Sequence, residues 1–351
     1  MSDSPVPEET PAPKHRRRPR YSGKNPRRFE EKYKEQHPEL YPEAVAKVLA
    51  SGKTPAGTHR PVMVAEILDV LSPQPGEVAV DCTLGYGGHA RELLAKLQPG
   101  GRLIGLDVDP LELPKTEARL RALGLGPEIF VAHRSNFAGL PKLLAIEQVH
   151  GVDMILADLG VSSMQIDDPQ RGFSVKFAGP LDMRMNPHRG QPVAALLQKI
   201  DADKLRMLLQ ENADEPHAQP IAVALAGQAF ATTTALAEAI RRALPRSILD
   251  EERDNSIRRV FQALRIAVND ELSALDSFLR ILPACLNPGG RVAILTFHSG
   301  EDRRVKKAFE AGLRSGIYAD IAREVIRPTP AERFDNPRCS PAKLRWARKA
   351  K

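Results

Sequence analysis

Residues 78–110 read VAVDCTLGYGGHARELLAKLQPGGRLIGLDVDP, and the fold follows from how that stretch divides. Two short aliphatic runs flank a segment whose Leu93, Leu94 and Leu97 recur at helical spacing, so the pattern is strand, glycine turn, helix, turn, strand. Gly85, Gly87 and Gly88 stand where the first strand hands over to the helix, which lets backbone approach a ligand that a Cβ would push away. Asp107 follows at the tip of the second strand, where a carboxylate can accept hydrogen bonds from a ribose. The unit predicts a nucleoside-cofactor site.

Two cofactors compete for it. Gly85-Tyr-Gly-Gly-His-Ala90 also fits the dinucleotide pattern G-x-G-x-x-A, which would make the chain an NAD-dependent oxidoreductase. Asp81 at the end of the first strand argues the other way. A carboxylate there suits a cofactor with a cationic amino-acid end, whereas a pyrophosphate wants bare helix N–H groups.

Working outward, the C-terminal half supplies further strands. Val152 to Asp158 is a buried-strand run ending in a carboxylate, and strand carboxyl ends carry the chemistry of open α/β sheets, so Asp158 ranks first as a catalytic candidate. Phe137, expected at the tip of a third strand read over Glu128 to Ala132, is placed to lie on an adenine ring. Arg291 to Phe297 gives a fifth strand after the turn Leu286 to Gly290, and Ser299-x-x-Asp302 reads as a capping box. Between Asp168 and Asn255 the apolar period becomes helical throughout. Ile257, Phe261, Leu264, Val268, Leu272 and Leu275 form one apolar stripe of a returning helix, with Arg258, Gln262, Arg265 and Asn269 on the neighbouring stripe.

The predicted organisation is thus a basic, unfolded N-terminal arm (1–57), a first part of an α/β domain (58–168), an inserted all-α domain (169–255) and the rest of the α/β domain with a basic tail (256–351). The 351 residues, 42% hydrophobic, suffice for a substantial core, and a net charge of +7 favours a polyanionic partner. Three scattered cysteines form no metal or disulfide pattern, and no apolar run approaches the roughly 18 residues of a membrane span. These features predict a cytoplasmic protein with no membrane and no metal, and leave open whether it is a monomer or a dimer.

Seven collinear segments carry a resemblance. They are Asp81–His89, Asp158–Gln165, Arg171–Ser174, Gly179–Met185, Phe261–Ile266, Phe297–Ser299 and Asn336–Arg338. Together they closely resemble the bacterial ribosomal RNA small-subunit methyltransferase H family, also called MraW. The resemblance spans roughly residues 58–349 and implies a class I methyltransferase fold, a Rossmann-like sheet with an inserted helical domain, using S-adenosyl-L-methionine. It implies methylation of the exocyclic N4 of a cytidine in the decoding centre of 16S ribosomal RNA, with the small ribosomal subunit as partner. It further implies cofactor contacts at Gly87, Gly88, His89, Asp107, Phe137, Asp158 and Gln165; for His89 and Gln165 it is the sole basis. Beside it stands a third class of reading, a non-catalytic RNA-binding assembly factor that keeps only the cofactor fold.

Overall fold

The computed structural model describes residues 61–351; the arm read at 1–57 lies outside them. Helix α1 (Val64–Leu71) leads into strand β1 (Val78–Asp81), then α2 (Gly88–Leu97), β2 (Arg102–Asp107), α3 (Leu113–Arg121), β3 (Phe130–Arg134), α4 (Leu140–Ile146) and β4 (Val152–Asp158). After a short α5 (Ser163–Asp167) come α6 (Val193–Lys199), α7 (Ala202–Ala213), α8 (Ala218–Leu225) and α9 (Thr233–Ala243). The long α10 (Asp250–Asn269) and α11 (Glu271–Cys285) return the chain to β5 (Leu286–Thr296), followed by α12 (Ser299–Arg314), β6 (Tyr318–Ile321), α13 (Pro330–Asp335) and β7 (Lys343–Lys349).

Among the described residues the strands form one sheet in the order β3-β2-β1-β4-β5-β7-β6. The first five are parallel, and β7 runs antiparallel to both its neighbours. This is a doubly wound, Rossmann-like sheet, as the resemblance implied. Its order reverses between β1 and β4, so the carboxyl ends of those strands open a crevice for a ligand. The burial pattern explains the parallel core: Val152–Asp158 is inward on both faces, as a strand covered by helices must be. Asn287 to Gly290 are set aside from the β4–β5 ladder, which pairs Val152 with Leu286 and resumes at Met154 with Arg291. The expected turn is therefore a bulge inside one strand.

Two cores cover the faces of the sheet. One packs β-strand residues such as Ile155 and Ile294 against Phe278, Leu282 and Phe309 of α11 and α12. The other packs Leu103, Met154 and Leu295 against Ile67, Leu93 and Leu97 of α1 and α2. A third cluster is almost purely helical, joining Leu197, Leu205, Leu209, Ile221, Leu236 and Ile240 to Ile257, Val260 and Leu264 of α10.

Three expectations need correction. Strand β3 starts at Phe130 rather than Glu128, because Ile129 and Phe130 both return their N–H groups to Gly126 in a turn. The apolar stripe from Ile257 to Leu275 belongs to two helices, since Asp270 takes φ 54° and ends α10. The cap of α12 is made by Glu301, whose carboxylate accepts from the N–H of Phe297 (2.8 Å) and, more weakly, His298 (3.4 Å). Asp302 instead meets Arg345 at 2.6 Å, and Ser299 donates to Asp214 at 3.2 Å.

Candidate active site

One cavity of about 1280 Å³ opens over the carboxyl ends of β1, β2 and β4. That exceeds the few hundred Å³ typical of a single small ligand, so a cofactor and a nucleotide fit together. Carboxylates line it at the strand ends and beyond, Asp107, Glu112, Asp158, Asp270, Glu271 and Glu301 among them, together with the arginines Arg134, Arg189, Arg265 and Arg338.

Asp107 ends β2 and uses both carboxylate oxygens to hold loops in place. Oδ2 accepts from Gly85 N–H and Oδ1 from Asp109 N–H, each at 2.8 Å. The carboxylate also lines the cavity. Burial pushes its pKa up to about 6, against the pull of those two N–H groups. Phe137 follows β3 and tilts against Phe278 with ring centroids 5.2 Å apart, while another part of it lines the cavity. It is a core aromatic and a cavity wall at once.

The two glycines expected at the cofactor are also demanded by packing within the protein. Gly87 does not line the cavity; it sits at φ 75°, and a Cβ there would come within 3.1 Å of Thr116 and Leu120 on α3. Gly88 is required by Pro61, whose Cγ lies 2.5 Å from where a Cβ would be. Both close approaches are between parts of the protein, and Gly88 still lines the cavity beside Leu84, Gly85 and Tyr86.

Asp158 ends β4, held by a 2.6 Å bond from its N–H to the hydroxyl of Thr83, with its side chain partly open to the cavity. Its Oδ2 lies 3.4 Å from Nε2 of the buried His89. That separation is an ion-pair contact without hydrogen-bond alignment, so Nε2 has no hydrogen-bond partner. Burial works against a charged imidazole here, yet Asp158, with Asp81 and Glu332 beyond it, holds the His89 pKa above its ordinary value. Asp81 is 1% exposed, stays behind the cavity wall, and is raised to about 6 by burial. Its charge reaches the site through His89 rather than by touching a ligand.

Gln165 lines the cavity and completes a capping box on α5: its Oε1 accepts from Ser162 N–H at 2.9 Å. Its Nε2 donates at 2.7 Å to Asp109, the organising residue that sequence reasoning missed. Asp109 is 1% exposed and also accepts from Leu111 N–H at 2.9 Å and from Arg171 at 2.7 Å. Arg171 in turn donates to the carbonyls of Arg184 and Met185, which positions the loop at the entrance to the helical cluster. The signal was present in the sequence as a second carboxylate two residues after Asp107, but only the fold brings it against Arg171. Arg338 clamps the other side of α5 through Asp167, at 2.6 and 3.0 Å.

The polar stripe on α10 is mostly committed to the protein. Gln262 donates to Asn212 O, Arg265 makes a two-bond pair with Glu271 at 2.9 Å, and Asn269 bridges Met183 O and Met185 N–H. Arg265 and Asn269 still reach the cavity wall; Arg258 does not.

Residues 56–350 match the model of the MraW methylase family. The chain belongs to the MraW methylase family. Membership carries S-adenosylmethionine as the methyl donor and makes the chain a methyltransferase. Among curated relatives, it is 48% identical to ribosomal RNA small subunit methyltransferase H 1 of Lachnoclostridium phytofermentans, over 98% of this chain and 96% of the relative. It is 50% identical to methyltransferase H 2 of Alkaliphilus metalliredigens, over 96% and 98%. The methyltransferase H of Myxococcus xanthus is 41% identical and covers 83% of this chain and 97% of its own. The first two alignments therefore take in most of residues 1–57, in contrast with the third.

Proposed function

We propose that this MraW-family methylase transfers a methyl group from S-adenosylmethionine to the exocyclic N4 of a cytidine in the decoding centre of 16S ribosomal RNA, acting on the small ribosomal subunit in the cytoplasm. The observation that carries the reading is a single cavity, with carboxylates at the strand ends, that extends to Met185 and Asn186 at the end of the loop begun by Arg171 and to the start of α11.

The residues present fit the cofactor. Asp107 lines the cavity against the glycine turn, where a ribose could reach its carboxylate, Phe137 offers a ring for adenine, and the carboxylates match a ligand that carries a sulfonium and an ammonium charge. Membership of a methylase family stands against the NAD-dependent oxidoreductase alternative. When bound, S-adenosylmethionine supplies an electrophilic methyl carbon. Asp158 is assigned the acceptor role: as the N4 lone pair forms the new bond to carbon, the nitrogen becomes cationic and its proton passes to the Asp158 carboxylate. His89 lies within ion-pair reach of that carboxylate, at 3.4 Å. Since N4 is delocalised into its ring, positioning the base and removing its proton are what the protein contributes. The base must also leave its stack, at a cost of a few kcal/mol that falls for an unpaired nucleotide.

Calorimetric titration tests the cofactor half. S-adenosylmethionine and S-adenosylhomocysteine should both release heat on binding, while NADH should not. Binding of NADH alone would overturn the reading.

A further inference from the structure

Phe334 is 87% exposed, the most exposed of the large apolar side chains among the described residues. It projects from α13, a short helix whose placement is fixed on both sides of it. Upstream, Glu332 accepts from Met63 N–H at 2.8 Å; downstream, Asn336 and Arg338 line the cavity. Two residues of chain span at most about 7 Å, so the backbone of Phe334 stands within about one nucleotide's length of Asn336 on the cavity wall. A solvent-facing phenylalanine on a fixed segment gains nothing for the fold.

The surroundings select the occupant. Arg333 beside it and Arg189 on the cavity rim are both exposed, and neither pairs with a carboxylate among the described residues. An exposed aromatic next to one of these arginines, on a segment that leads to a cavity lined by the other, matches a single strand of nucleic acid, whose bases stack while its phosphates are neutralised, with the neighbouring Glu332 already committed to Met63 N–H. An apolar protein surface would leave both arginines unanswered.

We infer that Phe334 stacks on an unpaired base next to the target nucleotide, holding the RNA strand at the cavity mouth while the target base enters. The inference rests on the RNA-methylating reading above and names a substrate-positioning residue for it. Loss of one stacked base weakens single-strand binding by about fivefold to more than a hundredfold.

The test uses the full chain and small-subunit particles lacking the modification. Phe334→Ala, Phe334→Leu and Phe334→Trp are compared with the parent for methyl-transfer KM and kcat, and for S-adenosylhomocysteine affinity. The expected result is a KM for particles raised at least about fivefold in the alanine and leucine variants and restored by tryptophan, with kcat and cofactor affinity unchanged. An alanine variant within twofold of the parent overturns the inference. So does a leucine variant that works as well as phenylalanine, because a plain apolar contact would then suffice. If the parent itself transfers no methyl group to the particles, it is the methyltransferase reading that fails, before any variant is compared.

Discussion

Asp109→Ala probes how the cavity is held together. Asp109 and Arg171 are an ion pair at 2.7 Å with side chains only 1% and 8% exposed. Removing one partner of such a pair costs about 3–5 kcal/mol, because the remaining charge is buried without compensation. Arg171 keeps its two bonds to the carbonyls of Arg184 and Met185, which places the loss near the lower limit, about 3 kcal/mol. For a chain of this size that corresponds to a fall in melting temperature of roughly 4 °C, read by differential scanning calorimetry. Arg171→Ala should cost a similar amount, and the double variant should fall short of the sum by about 2 kcal/mol, since the second substitution removes a charge the first has stranded. The released loop, Arg171–Met185, should also weaken substrate binding. Single variants that melt within 1 °C of the parent, or that add to within about 0.5 kcal/mol, would refute the role given to this pair.

Other outcomes follow from the same geometry. Asp158→Asn should retain S-adenosylhomocysteine affinity and lose turnover by about 100-fold or more, the usual worth of a positioned proton acceptor; full turnover would remove Asp158 from that role. Gly88→Ala should lower the melting temperature, because its Cβ meets Pro61 at 2.5 Å, and trimming Pro61 to alanine in the same chain should restore most of it. For pH, burial raises Asp81 and Asp107 from an ordinary 3.8 to about 6. Between those limits the folded chain binds more protons than the unfolded one, so their ionisation costs stability that is relieved as pH falls from about 7 toward 4. The melting temperature of Asp81→Asn should accordingly exceed that of the parent most at pH 7 and approach it near pH 4. A gap that widens on acidification would contradict the assignment.

Most of the sheet was legible because its strands alternate with helices whose period is plain. Val78–Pro110 alone carries β1, α2 and β2 within a residue or so. What escaped the sequence depended on contacts across the chain. The end of α10 turns on one left-handed residue, Asp270, which apolar periodicity passes over. Asp107, Phe137, Asp158 and Gln165 were found because strand ends and family motifs mark them. They do line one cavity, as do Gly88 and His89, whereas Gly87 packs on α3 instead. Asp109 and Arg171 were invisible as a pair, since 62 residues separate them and each reads alone as an ordinary surface charge.

Methyl transfer with the product nucleoside identified tests the central claim most directly. Small-subunit particles lacking the modification, incubated with the full chain and isotopically labelled S-adenosylmethionine, are digested to nucleosides and analysed by mass spectrometry. The account predicts label in N4-methylcytidine from a single site, absent with Asp158→Asn. Label on another base, on a ring carbon or on a ribose, or no label from protein that binds the cofactor, would contradict it.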